Sequence, residues 1–441
     1  MNIHLIAIGG SAMHNMALAL HHKRYTITGS DDAIFSPSKD RLEKYGLLPE
    51  KMGWFPEKIT KNLDAIILGM HARIDNPELA KGKELNIPIF SYPEYIYEQS
   101  KNKKRVVIGG SHGKTSITAM ILHVLQNLNI NCDYMVGAQL EGFDTMVKLT
   151  HEAPIIILEG DEYLSSPIDR RPKFHLYNPH IAVLSGIAWD HINVFPTFEM
   201  YVDQFRIFKN MVAETLIYCE EDEELKKFSK EKSKCKLIPY ASPKHTIENG
   251  ITTVANTELI IFGNHNLQNL NAAQLVCKEL GVSEQDFFHQ ISAFKGASMR
   301  LELVKKTDTS SIYKDFAHSP SKLKATSSAM KKQFTGRKLV ACMELHTFSS
   351  LNEEFLQQYK GCMDEPDTAI VYFSPEAIVH KKLAPITIEQ VYTAFNREDL
   401  LVFTDAEKLK IYLESLNWKN QNLLMMSSGT FEGMEFGELI E

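Results

Sequence analysis

Apolar and polar positions alternate along the chain with two periods, and each period predicts one kind of element. Short aliphatic runs such as IHLIAI (3–8), RVVI (105–108) and PIIILE (154–159) are typical of buried strands. After the second run, apolar residues recur at helical spacing over residues 115–128. Strands that alternate with helices in this way predict parallel sheets with crossover helices.

The alternation falls into three segments, so the predicted fold class is α/β with three domains. We place an N-terminal Rossmann-like parallel sheet at 1–100, a central α/β domain at 101–295 and a C-terminal Rossmann-like α/β domain at 296–441. The basic stretch EQSKNKKR (98–105) is predicted to be a linker, and FKGASMR (294–300) a second hinge. A chain of 441 residues exceeds what one hydrophobic core usually holds.

Composition and charge narrow the class of protein. Charged residues make up 23% and hydrophobic residues 44%, as in globular proteins, and no apolar run approaches the roughly 20 residues that span a bilayer. The net charge of −7 argues against bulk attraction to nucleic acid or to an anionic membrane. Six scattered cysteines without a CxxC pair, and an N-terminus that enters a strand directly, predict a cytoplasmic protein with reduced thiols.

The stretch RVVIGGSHGKTS (105–116) carries the strongest chemical signal. Gly-Lys-Thr follows a strand and opens a helix, where free backbone N–H groups and the helix dipole favour an anion. Lys114 would neutralise a β- or γ-phosphate, and the Thr115 hydroxyl would bind Mg²⁺. Ile108 stands where the full motif has its first glycine, so a glycine-rich turn with a solvated lysine is the alternative. The coincidence of strand, motif and helix favours a phosphate-binding loop.

Acidic and imidazole side chains follow two further strands. Glu159 ends PIIILE, where open α/β sheets place their ligands, and with Asp161 and Glu162 it forms an acidic cluster that is unfavourable without a nearby cation. A Mg²⁺ held by Thr115, Glu159 and a phosphate suits the oxygen preference of that ion, and a solvated acidic loop is the alternative. His191 follows a strand of the same predicted sheet and is a further candidate.

Polar residues in the last two segments offer two more candidate groups. Asn266 and Asn269 lie three residues apart at the start of a predicted helix, where their amides suit an adenine edge. The alternative is that Asn264 or Asn266 caps the helix and the rest forms a polar helix face. Arg300, Asp315 and His318 follow the second hinge. On a mobile domain they would close over a nucleotide; as surface ion pairs they would contribute little.

The N-terminal turn has part of a nucleotide-binding pattern. Gly9 and Gly10 follow the first strand, and Asp31 ends the second, as in a nucleotide-binding βαβ unit. Ala7 and Ala12 stand where glycines of the full fingerprint would help. A plain βαβ start is therefore an open alternative, and a dinucleotide-dependent oxidoreductase would leave residues 105–320 unexplained.

Together these motifs resemble the Mur ligase family, the ATP-dependent amide-forming enzymes of peptidoglycan synthesis. The resemblance runs in order through AIGGSAM, TGSDD, GGSHGKTS, LEGDEY, PKFHLYNP, WDHINVF, GNHNLQNLNAA, FKGASMRLELV, YKDFAHSP and MMSSGTFEGM. RLELV with DFAHSP, and KFHLYNP before WDHINVF, are most similar to the murein peptide ligases of this family. Those enzymes join UDP-N-acetylmuramate to the recycled tripeptide L-Ala-γ-D-Glu-meso-diaminopimelate; the sister ligase that adds L-alanine is the second candidate.

The resemblance implies a fold and a role for each matching position. It implies a UDP-sugar-binding first domain, a P-loop ATPase-type second domain and a third domain that binds the amine and closes on ATP. Catalysis would depend on Lys114, Glu159 and His191, and Mg²⁺ would be held by Thr115, Glu159 and His191. ATP would contact Gly110, Ser111, His112, Gly113, Lys114, Thr115, Ser116, Asn266, Asn269, Arg300, Asp315 and His318. The UDP-sugar would contact Gly9, Gly10, Ser11, Ala12, Met13, Asp31, His71 and Asn76.

The most serious departure from the family pattern lies in one segment. In ELHTFSS (344–350), His346, Thr347 and Phe348 stand where close relatives carry an arginine expected to bind a substrate carboxylate. His346 is therefore a candidate substrate-binding residue, and the identity of the amine stays open. The expected partners are small molecules, with no nucleic acid and no membrane insertion, in a monomer or homodimer. A non-catalytic nucleotide-binding relative is the last alternative, and it would not need Lys114, Glu159 and His191 together.

Overall fold

The computed structural model describes residues 1–140, 142–189, 194–297 and 300–440. The chain divides into two compact units, Met1–Ala241 with Gln268–Phe287 and Ser242–Leu267 with Phe288–Glu441. One division falls within the helix Asn264–Glu279 and another within the helix Glu284–Ile291.

The first aliphatic runs form a parallel four-stranded sheet in the order β2-β1-β3-β4. All four residues of its strand Ala65–Leu68 are buried, as expected where crossover helices cover both faces of a parallel sheet. Within the described residues the elements are β1 (Asn2–Ile6), α1 (Ser11–His22), β2 (Thr26–Ser30), α2 (Ser38–Lys44), β3 (Ala65–Leu68), α3 (Pro77–Glu84), β4 (Ile89–Ser91) and α4 (Tyr92–Ser100).

The rest of the first unit is built on a seven-stranded sheet in the order β11-β10-β9-β5-β8-β6-β7. Neighbouring strands are parallel except β7, which pairs antiparallel with β6. Its elements are β5 (Lys104–Gly109), α5 (Lys114–Asn127), β6 (Cys132–Met135), β7 (Val147–Lys148), β8 (Ile155–Glu159), β9 (Ile181–Leu184), α6 (Phe198–Met211), β10 (Thr215–Cys219), α7 (Glu223–Phe228) and β11 (Lys236–Tyr240). Helix α8 (Asn264–Glu279) contributes its later turns, and α9 (Glu284–Ile291) its first.

The second unit contains an antiparallel three-stranded sheet and a six-stranded sheet in the order β15-β16-β20-β17-β18-β19. The six-stranded sheet is parallel except for β15. The elements are β12 (His245–Glu248), β13 (Ile251–Val254), β14 (Thr257–Leu259), β15 (Glu302–Lys306), β16 (Ser311–Asp315), α10 (Pro320–Gln333), β17 (Lys338–Glu344), α11 (Glu353–Leu356), β18 (Thr368–Tyr372), α12 (Pro375–His380), α13 (Ile388–Phe395), β19 (Leu401–Phe403), α14 (Ala406–Glu414) and β20 (Gln421–Met426).

Strand β17 shows why a continuous hydrophobic run marks the centre of such a sheet. Leu339, Ala341 and Met343 belong to one buried cluster, and Val340 and Cys342 belong to another on the opposite face. Successive side chains point to opposite faces, so both faces must be covered by apolar residues. The prediction of an α/β fold with parallel-sheet domains is therefore confirmed.

The basic stretch at 98–105 is partly buried. Arg105 is buried and donates to the carbonyl oxygens of Ser100 and Tyr177 at 2.8 and 2.9 Å. Lys103 is 7% exposed and pairs with Asp133 at 2.8 Å. The last carbonyl groups of a helix have no partners within that helix, and here a buried guanidinium supplies a donor to one of them. The stretch is therefore held by buried side chains, and its role as a linker and the domain boundaries at 100/101 and 295/296 stay predictions.

Among the described helices, none is both long and apolar enough to cross a membrane.

Candidate functional site

The phosphate loop, which we define as residues 109–113, lies at the carboxyl end of β5, the central strand of the seven-stranded sheet. In the strand register Ile108 pairs with Val183 on one side and with Glu159 on the other. Helix α5 begins at Lys114, directly after the loop. The predicted order of strand, loop and helix is confirmed, and it points helix N–H groups at the sheet edge where ligands bind.

Two glycines of the phosphate loop have conformations and neighbours that exclude a side chain. Gly110 and Gly113 have φ angles of +122° and +75°. A methyl group at Gly110 would overlap the hydroxyl of Ser185, and one at Gly113 would overlap the amide oxygen of Asn269. Glycine at these positions allows the loop to pack tightly against its neighbours.

Lys114 is a half-buried cation beside the phosphate loop. Its Nζ donates to the carbonyl oxygen of Gly110 at 2.7 Å and to Oε2 of Glu162 at 2.9 Å, and its side chain is 16% exposed. Burial alone would lower the pKa of Lys114, but the Glu162 carboxylate raises it. The Lys114 side chain is therefore charged and fixed by two hydrogen bonds, so the alternative of a solvated lysine is wrong.

Thr115 and Glu159, both predicted to hold Mg²⁺, are in contact. The Thr115 hydroxyl donates to Oε1 of Glu159 at 3.0 Å, and the N–H of Gly137 donates to Oε2 at 2.9 Å. Burial raises the pKa of Glu159, so a bound cation would favour its ionised form. Mg²⁺ binds oxygen ligands at about 2.1 Å in octahedral geometry, which places adjacent ligands about 3 Å apart. The two side chains fit that ion.

The acidic residues after β8 have separate partners. Asp161 pairs with Lys173 at 2.6 Å, and Glu162, 1% exposed, pairs with Lys114 at 2.9 Å. Burial alone would raise the pKa of Asp161, but Lys173 lowers it. The predicted nearby cation is supplied by two lysines, so the acidic cluster by itself is no evidence for a metal. The alternative of a solvated acidic loop is wrong for Glu162.

The N-terminal turn is held by Asp31. Oδ2 of Asp31 accepts from the N–H of Gly9 at 2.7 Å, and burial raises the pKa of this carboxyl group. A methyl group at Gly9 would lie 2.8 Å from Ile34, so glycine is required there. Ala7 adopts a φ of +65°, which is the conformation that glycine would adopt without strain. The predicted UDP-sugar contacts of this turn stay predictions.

The other residues predicted for the UDP-sugar have mixed positions. Asn76 is buried, and its Oδ1 accepts from the N–H groups of Glu78 and Leu79 at the start of α3. Asn76 therefore caps a helix, which is a sufficient reason for its presence. His71 is exposed. The remaining members are exposed (Ser11 and Ala12), intermediate (Gly10) or buried (Met13).

Asn266 and Asn269 lie on the same helix but have different neighbours. Nδ2 of Asn266 donates to the carbonyl oxygen of Phe262 at 3.0 Å. A helix cap would instead accept from a backbone N–H, so the capping alternative is wrong for Asn266. Asn269, 8% exposed, lies against Gly113 of the phosphate loop. Their predicted adenine contacts stay predictions.

Arg300, Asp315 and His318 lie around one turn of the second unit. Asp315 accepts from two backbone N–H groups at 2.7 Å and is 6% exposed, and burial raises its pKa. The Arg300 guanidinium lies 4.8 Å from the ring centre of Phe316, whose carbonyl oxygen is 2.8 Å from Nδ1 of His318. An exposed surface ion pair is therefore wrong for Asp315, and the nucleotide contacts of all three stay predictions.

A second group of polar side chains meets at the carboxyl ends of β17 and β20. We define this strand-end cluster as Glu344, His346, Ser427 and the backbone of 429–431. Oε2 of Glu344 accepts from the Ser427 hydroxyl and from the N–H of Phe431, the latter at 3.0 Å. Oε1 of Glu344 lies 3.6 Å from Nδ1 of His346. The predicted substrate residue His346 is thus placed beside a buried carboxylate at an edge where ligands bind.

Sequence reasoning missed several residues of these two regions. Gly137 and Tyr201 contact the predicted residues Glu159 and Ser111 but belong to no recognised motif. Glu344 and Ser427 lie within ELHTFSS and MMSSGTFEGM, yet no role was assigned to either side chain. Ser116 is buried in the first turn of α5, and His112 is exposed. His191 lies outside the described residues, so its predicted roles in catalysis and metal binding stay predictions.

Two family models match the chain and together cover most of the first unit. The model of the Mur ligase family catalytic domain matches residues 2–104, and the model of the Mur ligase middle domain matches residues 108–277.

Individual proteins are similar over nearly the whole chain. UDP-N-acetylmuramate–L-alanine ligase from Sulfurihydrogenibium sp. is 28% identical over 97% of this chain and 95% of its own length. UDP-N-acetylmuramate–alanine ligase from Thermotoga maritima superposes with a TM-score of 0.71, 17% identity and coverage of 98% of this chain and 97% of that one. A murein peptide ligase from Psychrobacter arcticus superposes with a TM-score of 0.63, 20% identity and the same coverage. At these identities the two solved structures establish the fold.

Proposed function

We propose, from the premise that this chain belongs to the Mur ligase family of ATP-dependent amide ligases, that it joins UDP-N-acetylmuramate to the amine of a peptide. The peptide is L-alanyl-γ-D-glutamyl-meso-diaminopimelate, and the reaction belongs to peptidoglycan recycling in the cytoplasm. The observation that carries the proposal is the meeting of Lys114, Thr115 and Glu159 at one sheet edge, beside a loop that exposes helix N–H groups.

The reaction has two steps, and both concentrate negative charge. The lactyl carboxylate of the sugar attacks the γ-phosphate of ATP, which gives an acyl phosphate and ADP. The amine then attacks the acyl carbon, and phosphate leaves. Lys114 and the N–H groups at the start of α5 would stabilise the charge on the phosphoryl oxygens, because fixed donors in a buried site need no reorganisation.

A divalent cation fits the residues at the same edge. Thr115 and Glu159 would hold Mg²⁺, which when bound would neutralise phosphate charge. Glu159 is kept in place by the N–H of Gly137, so its second oxygen stays directed at Thr115.

L-Alanine is the second candidate for the amine. The similar Sulfurihydrogenibium protein carries the name of an L-alanine ligase. The departure at 344–350 favours neither amine, because His346 beside Glu344 differs from the arginine expected to bind a carboxylate.

The test is phosphate release from ATP and Mg²⁺ with UDP-N-acetylmuramate, comparing the tripeptide with L-alanine, followed by mass spectrometry of the product. We expect the tripeptide adduct. An L-alanine adduct alone would replace the first candidate with the second, and no turnover with either amine would overturn both.

A further inference from the structure

The Lys114–Glu162 pair continues into a series of partly buried hydrogen bonds that the proposed chemistry does not use. Oε1 of Glu162 accepts from the Tyr201 hydroxyl at 2.9 Å. That hydroxyl is also 2.9 Å from Oγ of Ser111 in the phosphate loop. The N–H of Ala188, beyond β9, donates to Oγ of Ser111 at 2.8 Å. Glu162 and Tyr201 are 1% and 0% exposed.

The direction of these hydrogen bonds is fixed by the charge at their end. Glu162 faces the Lys114 ammonium at 2.9 Å, so its carboxylate accepts from both Lys114 and Tyr201. Tyr201 has one hydroxyl hydrogen, which is thereby used, and it must accept from Ser111. From the N–H of Ala188 to the ammonium of Lys114, each donor in the series has one acceptor. Removing one group would leave its partner without a hydrogen bond, which costs free energy where water is largely excluded.

In the same arrangement, Ser111 is hydrogen-bonded to other groups of the protein. Its hydroxyl meets Tyr201 and Ala188, and its backbone N–H donates to the carbonyl oxygen of Gly186 at 2.9 Å. Ser111 therefore ties the phosphate loop to the segment after β9 and to helix α6.

We propose that Glu162 and Tyr201 are positioning residues: Tyr201 ties the phosphate loop to Glu162, and Glu162 aims Lys114 at the phosphates of a bound nucleotide. The inference rests on the proposed ATP-binding role of the loop. It deepens that role by assigning the orientation of Lys114 to a carboxylate 48 residues away and to a tyrosine on another helix.

The geometry favours orientation over competition with the nucleotide. An ammonium group has three N–H donors, and Gly110 and Glu162 occupy two of those of Lys114. Among the residues that the structure describes, no other group takes the third, so a phosphate oxygen can accept it while Glu162 stays bound. Loss of Glu162 or of the Tyr201 hydroxyl should therefore weaken nucleotide binding and slow turnover.

The test compares Y201F, S111A and E162Q with the matched control Y177F. Tyr177 is fully buried in the same unit, and among the described residues its hydroxyl has no hydrogen-bond partner. Three measurements are made: hydrogen exchange of the peptide covering the phosphate loop without nucleotide, ADP affinity by calorimetry, and kcat with KM for ATP. We expect Y201F and S111A to speed loop exchange and to weaken ADP binding about 10-fold. A displacement of Lys114 on the ångström scale should lower kcat by about 10²-fold in E162Q.

The double variant Y201F/S111A should be no worse than either single variant, because both interrupt the same series of bonds. The proposal is overturned if Y201F and S111A exchange and bind ADP like Y177F, or if E162Q binds ADP more tightly. Failure of the wild-type protein to bind ADP would instead contradict the proposed function. Hydrogen exchange would still show whether Tyr201 and Ser111 hold the phosphate loop in place. If Y201F folds poorly, S111A carries the comparison, since its side chain is smaller and nearer the surface.

Discussion

The phosphate-loop region of the first unit and the strand-end cluster of the second occupy equivalent places in their sheets but are built differently. In the first, Lys114 meets the carboxylate of Glu162, and Glu159 is met by Thr115. In the second, Glu344 is held mainly by a serine hydroxyl and a backbone N–H, and His346 remains 35% exposed.

From this contrast we infer different functions for the two regions: the first would bind phosphate groups and the second the amine substrate. Phosphate groups are alike in every reaction of this class, so charged side chains and backbone donors suffice to bind them. The amine substrate differs from one enzyme of this class to the next, and we propose that the strand-end cluster takes part in its selection. Variants in the two regions should therefore change different kinetic constants.

The largest expected effect comes from Lys114. K114M removes the cation that meets developing phosphoryl charge and should lower kcat by about 10³-fold. Phosphate release with saturating UDP-N-acetylmuramate and amine measures it. Because this variant leaves Glu162 without its cation, K114M/E162Q serves as the control for misfolding; activity near wild type in a folded K114M protein would contradict the assignment.

Glu159 should give the next largest effect. E159Q keeps the shape of the side chain but removes the charge that favours a divalent cation, so we expect a loss of about 10²-fold in activity. The Mg²⁺ concentration for half-maximal activity should rise as well. A titration of activity against Mg²⁺ checks this, and an unchanged midpoint would remove Glu159 from the metal site.

The strand-end cluster should give a smaller and different effect. H346A and E344Q are expected to raise KM for the amine about 10-fold, since each would remove one interaction with the amine substrate worth about 1.4 kcal/mol. KM for ATP should stay within about 2-fold of the wild-type value. Initial rates with each substrate varied in turn separate the two constants. A rise in KM for ATP alone would break the proposed division between the regions.

The buried pair of His4 and Glu78 lies outside both regions. Its loss should lower the free energy of unfolding and have the smallest effect on catalysis. Glu78 accepts from the N–H of Phe55 at 2.7 Å and lies 3.2 Å from Nε2 of His4. Burial alone would raise the pKa of Glu78, but these partners lower it. Its contribution is therefore complete above the unfolded pKa of about 4.3 and is lost as pH falls through the folded pKa.

E78Q should destabilise the protein by about 3 kcal/mol at pH 7. The difference from wild type should shrink as pH falls below the unfolded pKa of about 4.3, and it should be lost once the pH has fallen through the lowered folded pKa. Urea unfolding at several pH values measures it, with both KM values expected to be unchanged. A pH-independent difference would show that the ionised form of Glu78 is not what stabilises the fold.

The sequence alone was sufficient to predict the local elements of the phosphate-loop region. Gly113, Lys114 and Thr115 were predicted to follow a strand and open a helix, and the structure places Gly113 directly before α5 and Lys114 and Thr115 in its first turn. Such predictions succeed because the signals lie in adjacent residues: an aliphatic strand, a glycine with a left-handed backbone and apolar positions at helical spacing.

Only the tertiary structure decided which side chains meet there. Glu162 lies 48 residues from Lys114, and Tyr201 lies 90 residues from Ser111. Parallel strands are joined by long crossovers, so residues that share a sheet edge are remote in sequence and carry no common spacing. For the same reason the sequence did not indicate the contact between Ser427 and Glu344, which are 83 residues apart. The chain's pattern of apolar and polar residues thus determined where the strands end, and the packing of the sheets determined the partners of each charge.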